Sequence, residues 1–385
     1  MQRVSALQAL HNRDPLQLRV VASTLGTPEW IVACIASLLL TVVMSLVQIL
    51  LVAPILRAAL APLLALTARA SGADAPPVLQ PLWTALISRE PFVDIVTSPV
   101  FPGAMSAVFY FVSCAPFAVL DLLDAPSIRQ RFKHQQGALR EKSELASGWA
   151  STLFLTGWHH VFYILPGLCA QVVQQGPWLY FDYSSLPSNA TTCMERCDGR
   201  ALLPPEAPRL DHMILHLAVC FLLFDASYHF WHWLHHASPV LYRHIHAVHH
   251  EYRAPFCWVT QHEHALELLV VSVWSVLVPM GLGVHPLTEW LFLLGAIQVS
   301  VEAHSGYSLG AFAPLQAMLP WVWGGSVHHD NHHKAPRRNF QPFFTYLDRA
   351  FGTLYDPVRE AHLAAGMHRE AEAEQLGNGG KAHAE

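Results

Sequence analysis

The chain is poor in charge. Only 13% of its 385 residues are Asp, Glu, Lys or Arg, against roughly 25% in a typical soluble domain, and 52% are apolar. That shortfall argues against an ordinary water-soluble globule and points to a membrane protein. A basic excess is missing as well. The net charge is −5 with neutral histidines, so nothing suggests a nucleic-acid partner. The seven cysteines, Cys34, Cys114, Cys169, Cys193, Cys197, Cys220 and Cys257, form no Cys-x-x-Cys metal motif. No cleavable leader is expected: the first apolar run starts near Trp30, behind a polar stretch with Arg3, Arg13 and Arg19, and is long enough to span. No repeat of roughly 20 to 50 residues is visible either.

Histidine is what the chain has in abundance. Sixteen of its 25 histidines lie between His229 and His333. They form three clusters: His232-Trp-Leu-His235-His236, His246-Ala-Val-His249-His250 and His328-His329-Asp-Asn-His332-His333. Each contains His-x-x-His-His. Residues three and four apart share a helix face, so each cluster offers two or three imidazoles in one direction. Neutral imidazole is the commonest metal-ligating side chain. Eight or more convergent rings exceed what one ion takes, which predicts two metals. Imidazole alone does not choose the metal. However, hydrolytic zinc sites commonly pair three protein ligands with a carboxylate base, and the Glu-x-x-His pairs of bundle-type di-iron proteins are absent. Two irons at the mouth of apolar helices suit dioxygen and the C–H bond of a lipid.

The expected fold class is all-α, a polytopic integral membrane protein of about four main spans. These are Trp30–Leu56, which Pro54 ends or kinks, Gly103–Leu123, weakened by Pro116 and Asp121, Ala150–Val173 and Met213–Leu234. Residues 57–100 read as an amphipathic helix followed by a loop. Leu266–Val284 and Leu287–Val301 form an apolar pair whose second arm is short, so a shallow hairpin is expected. Three regions follow: 1–148, a membrane region with a basic loop; 149–357, the catalytic membrane domain; and 358–385, a polar, largely disordered tail. Arg129, Arg131, Lys133, Arg140 and Lys142 place the basic loop in the cytoplasm. A non-cytoplasmic loop over about 175–211 then carries Asn189 in a glycosylation acceptor sequence and a candidate disulfide pair, Cys193 and Cys197. The histidine clusters, flanked by Arg243, Arg253, Lys334, Arg337 and Arg338, return to the cytoplasmic face.

Four segments carry a resemblance. Val301-Glu-Ala-His304-Ser-Gly-Tyr307 and Gly324-Gly-Ser-Val-His328-His-Asp-Asn-His-His333 resemble the cholesterol 25-hydroxylases. Val248-His-His-Glu-Tyr-Arg-Ala-Pro255 is more similar to the C-4 methylsterol oxidases, and Phe343–Gly352 resembles the closing segment of both. Over roughly 211–356 the chain thus resembles the fatty acid hydroxylase superfamily of membrane non-haem di-iron oxidases, in its sterol-modifying branch. The resemblance implies ligands at His232 and His236, at His246, His249 and His250, and at His329, His332 and His333. His304 is an additional ligand, His264 a further candidate, and His328 either a ligand or a ligand's support. Asp330 and Glu302 are the carboxylates expected to receive a ligating ring's other N–H. No catalytic residue beyond the metal ligands is expected.

The resemblance also implies hydroxylation of a sterol or related lipid with dioxygen at two iron ions. Electrons derive from NAD(P)H through a reductase with cytochrome b5, and the enzyme resides in the endoplasmic reticulum membrane. Two alternatives stay open. A fatty acyl or alkylglycerol hydroxylase would keep the site and change the channel. A histidine-rich metal transporter would instead bury its ligands along the spans.

Overall fold

A computed structural model describes residues 27–70, 77–98, 100–135 and 203–358. The expected span Ala150–Val173, with His159 and His160, lies outside the described residues. So do Asn189, Cys193, Cys197 and the polar tail beyond 358. The described residues are helical, with isolated bridges pairing Lys133 with Tyr307 and Trp323 with Phe344.

Helix α1 (Pro28–Val47) begins where Thr27 Oγ1 accepts the Trp30 N–H at 3.2 Å and Pro28 supplies a preset φ. Its buried residues are Ala33, Ser37, Thr41 and Ser45, one small residue every turn. Ile35, Leu39, Val42 and Val43 are exposed on the other side. This pattern inverts that of a soluble helix: small residues face protein and large apolar ones face lipid. Pro54 does not end the helix: the chain passes through a π-helical turn, Gln48–Val52, into α2 (Ala53–Ala70). The wide turn absorbs the N–H that proline lacks. The helix expected after residue 57 is therefore a continuation of the first span, apolar from Pro28 to Thr67.

Short helices α3 (Gln80–Ser88) and α4 (Phe92–Val96) lead into α5 (Phe101–Leu123), then α6 (Pro126–Phe132). Asp121 does not interrupt α5, because it sits in the last turn. There it meets Lys133 Nζ at 2.7 Å and accepts from Tyr307 Oη at 2.8 Å. Next come α7 (Leu210–Ala237), α8 (Pro239–His244), and 3-10 turns over His246–Glu251 and Cys257–Gln261. Then follow α9 (Ala265–Leu282), α10 (Pro286–His304), α11 (Ala313–Met318), α12 (Gly325–Lys334) and α13 (Tyr346–Ala350). Pro28–Thr67, Phe101–Leu123, Leu210–Ala237 and Ala265–Leu282 are long and apolar enough to cross a membrane.

Contacts at the helix ends give their directions. Trp30, at the start of α1, stands against His264, whereas Leu64 of α2 offers its carbonyl to His212 near the start of α7. Phe101 of α5 packs on Trp290 of α10, and Asp121 reaches Tyr307, just past the α10 end. Helices α5, α7 and α10 therefore end where α1 and α9 begin, on one cap. The α9–α10 pair is longer than the shallow hairpin expected. Its arms have 18 and 19 residues, about 27 Å each at 1.5 Å per residue, close to the hydrocarbon thickness. The turn between them uses Gly283 at φ 66° and His285, whose Nδ1 accepts the Leu287 N–H. Trp231, Phe224, Trp274 and Phe292 form the core where α7, α9 and α10 meet.

Candidate metal centre

The second and third histidine motifs divide between two sites, and the first serves one of them. On the last turns of α7, His232 and His236 stand one above the other, and His235 points elsewhere. The His235 ring stacks on Trp231, donates from Nδ1 to the Trp231 carbonyl and accepts from Ser37 Oγ of α1. The second motif lies on a 3-10 turn, and there His246 and His250 face one group while His249 faces the other. On α12, His332 diverges from His329 and His333. The outcome is one group of His232, His236, His246, His250 and His332, and a second of His249, His304, His329 and His333. Within each group the ligand nitrogens lie within 4.8 Å of one another. The groups adjoin, with the His250 and His333 rings 4.9 Å apart.

Hydrogen bonding fixes which nitrogen faces inward. His232 Nδ1 donates to the Phe340 carbonyl at 2.8 Å, His332 Nδ1 to Arg338 at 2.7 Å, His333 Nδ1 to Tyr252 at 3.0 Å and His304 Nδ1 to Ser300 at 2.7 Å. His246 Nδ1 donates to Glu267 Oε1 at 2.8 Å. A carbonyl only accepts, so the proton sits on Nδ1 and the Nε2 lone pair points into the group. Yet His232 Nε2 lies 3.0 Å from His246 Nε2, His250 Nε2 3.0 Å from His246 Nε2 and 3.1 Å from His332 Nε2, and His329 Nε2 2.8 Å from His304 Nε2. Lone pairs this close repel unless a cation lies between them. Spacings of about 3 Å also match the edges between right-angled ligands held about 2.1 Å from one ion. His333 Nε2 is buried with no hydrogen-bond partner, as a ligand atom would be. The donor set therefore fits two metal ions.

Electrostatics support this. Burial first, and neighbouring imidazoles after it, hold His246, His249, His250, His329 and His333 well below the ordinary histidine value. Burial brings His332 to about 4. Near pH 7 these rings are neutral and their lone pairs available.

Several expected site residues fall outside both groups. His264 caps α9, its Nδ1 accepting the Leu266 N–H at 3.2 Å. His328 Nε2 bonds Asp348 Oδ2 at 3.1 Å. Asp330 receives Gln135 Nε2, and Glu302 receives Gln298 Nε2 and the N–H groups of Ala311 and Phe312; neither bonds a ligating ring. Among the described carboxylates it is Glu267 that holds one, fully buried against His246. Sequence distance misleads here: Glu302 is two residues from His304 but faces the following loop. Glu267 is 21 residues from His246 but begins the helix packed beside it.

A second support escaped the sequence entirely. Asp225, buried in α7, accepts from Gln341 Nε2 and from the N–H groups of Phe343 at 2.8 Å and Phe344 at 3.0 Å. Asp348 accepts from the N–H groups of Phe340 and Gln341, both at 2.9 Å. Burial opposes charge on Asp348, but hydrogen bonds from His328, Thr353 and Gln341 outweigh it and hold the carboxyl at about 2. Together the two carboxylates fix the loop whose Phe340 carbonyl orients His232. Asp225→Ala would leave three buried donors unpaired, at about 1 kcal/mol or more each. It should lower stability by about 3 kcal/mol, measured by thermal unfolding of the purified protein.

An apolar cavity runs between α5, α7, α9 and α10, lined by Phe224, Val271, Leu293 and Phe343. His304 and His329 line it too, so the second histidine group borders it.

The fatty acid hydroxylase family model matches residues 217–353, a stretch that includes all nine grouped histidines. Cholesterol 25-hydroxylase-like protein 2 of Danio rerio is 38% identical over 284 residues, covering 73% of this chain and 90% of the relative. Cholesterol 25-hydroxylase of Mus musculus is 35% identical over 293 residues, 75% of this chain and 87% of the relative. The Homo sapiens protein of that name is 35% identical over 279 residues, 72% and 90%. The chain belongs to the fatty acid hydroxylase family. No solved structure matches it. As a hydroxylase it is a membrane oxidoreductase. Its cavity, enclosed by membrane-length helices, gives this fatty acid hydroxylase an apolar chamber directly beside the candidate metal groups.

Proposed function

We propose that this chain is a non-haem di-iron monooxygenase that hydroxylates a sterol or related membrane lipid. Its active site would face the cytoplasm at the endoplasmic reticulum membrane. The observation carrying this reading is the convergence of nine imidazoles, all turned Nε2-inward where their hydrogen bonds fix them, at one end of an apolar cavity. The names of these relatives favour a sterol over a fatty acyl chain or alkylglycerol. Grouping of the ligands at one cap, instead of along a path through the spans, favours a resident cofactor over transport.

His232, His236, His246, His250 and His332 would hold one ion, and His249, His304, His329 and His333 the other. Iron bound there would supply dioxygen activation, one oxygen atom entering the lipid and the other leaving as water with two electrons and two protons. The chain's own residues do the rest. Backbone carbonyls and Glu267 hold the rings in the metal-binding tautomer. Helices α5, α7, α9 and α10 exclude water and decide which carbon lies beside His304 and His329. Arg253, Lys334, Arg337 and Arg338 ring the cap with positive charge suited to docking an acidic donor such as cytochrome b5, fed by an NAD(P)H reductase.

Membranes containing the chain, given labelled sterols, dioxygen and NADPH with the reductase, should yield a hydroxylated sterol by mass spectrometry. No oxidised product from any sterol would sink the sterol reading. The purified protein should carry two irons per chain. A chelator that strips them should lower the melting temperature by on the order of 10 °C, since bound metal stabilises the folded state alone.

A further inference from the structure

Between Glu302 and Asp330 the chain carries no Asp, Glu, Lys or Arg. It leaves α10 through residues 305–310, runs along α11 and reaches α12. Leu315, Met318, Leu319, Trp321 and Val322 are all exposed on the way, Met318 by 69% and Trp321 by 58%. So continuous an apolar surface is costly in water and marks a contact site.

The depth of this stretch can be read from α7. That helix has 28 residues, about 42 Å at 1.5 Å per residue, and crosses a hydrocarbon layer about 30 Å thick. However the helix is slid along its axis, its central part stays inside that layer. Asp225, near the middle of α7, belongs to that part. Its carboxylate accepts the N–H groups of Phe343 and Phe344. The backbone there pairs in turn with the uncharged stretch. Gly324 donates its N–H to the Phe343 carbonyl at 2.9 Å, and Thr345 to the Val322 carbonyl at 3.1 Å. Residues 322–324 therefore lie at the level of Asp225, inside the hydrocarbon and not above it.

The backbone suits such surroundings, since lipid offers no partner to an unpaired N–H. Ala311 and Phe312 give theirs to Glu302, Leu315 and Gln316 to the Phe312 carbonyl, and Leu319 to Leu315. Val322 and Trp323 give theirs to Leu319, while Pro314 and Pro320 have none to give. Gln316, the polar side chain of α11, turns back to accept from Ser326 Oγ at 3.1 Å. We infer that residues 311–322 form a re-entrant loop whose outer face, Leu315, Met318, Leu319, Trp321 and Val322, contacts the acyl chains of the leaflet on the cap side. The assignment rests on α7 crossing the bilayer and not on which lipid is oxidised.

The test uses the full chain in phosphatidylcholine vesicles containing a lipid with a photoactivatable diazirine in mid-acyl chain. After irradiation and digestion, mass spectrometry should find adducts on Met318, Leu319 and Trp321. Leu39 and Val43, exposed on α1, should be labelled as well, and Arg337, exposed on the cap, should not. Met318→Cys gives a second reading. A thiol in apolar surroundings stays protonated and unreactive, so this one should react with a water-soluble maleimide on the order of 10-fold more slowly than that of Arg337→Cys in the same vesicles. Labelling of the native chain is subtracted from both, and the two rates should converge in dodecyl sulfate. Adducts on α1 but none on residues 315–322 would mean that protein covers this face, from the same chain or a second copy, and would overturn the inference. Equal maleimide rates in vesicles would put the loop in water and overturn it too. Neither outcome touches the hydroxylase reading, which product formation decides separately.

Discussion

His250→Ala is expected to lower lipid oxidation by more than 100-fold and to leave the purified protein with about one iron in place of two. Removing a group that only orients a ligand already costs roughly 10–100-fold in metal affinity or activity, and His250 would be a ligand itself. Its Nε2 lies 3.0 Å from His246 Nε2, 3.1 Å from His332 Nε2 and 3.2 Å from His236 Nε2, at the centre of the five-membered group. Alanine there removes a donor from the middle of the set, and the buried cavity it leaves has no other nitrogen to fill it. The comparison that gives the experiment force is His264→Ala. That ring caps α9 outside both groups, so its loss should cost about 1 kcal/mol of stability, as a helix cap does, and leave the iron count intact. Iron per chain by elemental analysis, read beside product formation, separates the two. A His250→Ala protein that keeps two irons would remove this residue from the ligand set.

Much of this architecture is legible in the chain. Long apolar runs locate α1, α5, α7 and α9, because a bilayer demands that length and composition whatever the rest of the sequence does. The recurring His-x-x-His-His pattern marks the cap. What the pattern conceals is how each motif is shared. His249 and His250 are adjacent in sequence yet fall in different groups, as do His332 and His333. Their motifs are split by the local course of the backbone, which spacing alone does not report. Histidines outside the groups were hard to sort for a similar reason. His264 and His285 look like ligands or interfacial residues, but each opens a helix by accepting an N–H two residues on. The arm Leu287–Val301 reads short because Pro286 and His304, its true ends, are not apolar. Asp225 left no recognisable signal, since one aspartate in an apolar helix has many explanations until the loop it pins comes into view.

Glu267→Ala is expected to have the next largest effect. This carboxylate is fully buried at the start of α9 and takes the Nδ1 proton of His246 at 2.8 Å. Without it, two things go wrong at once. His246 loses the partner that keeps its Nε2 lone pair turned toward His232 and His250. The ring also loses the carboxyl acceptor that strengthens it as a donor. Iron affinity should fall roughly 10–100-fold, seen as loss of one ion during dialysis against a weak chelator that leaves the wild type loaded. Product formation should fall with it and recover in part when iron is added in excess, which His250→Ala should not allow. Glu267→Gln sharpens the test. Its amide oxygen can still accept from Nδ1, so the tautomer is kept while the carboxyl acceptor is lost, and affinity should lie between alanine and wild type. Asp330→Asn and Glu302→Gln supply the contrast, since neither side chain bonds a grouped histidine. If those two variants shed iron and Glu267→Ala does not, the support of the first group lies elsewhere and the role given to Glu267 is wrong.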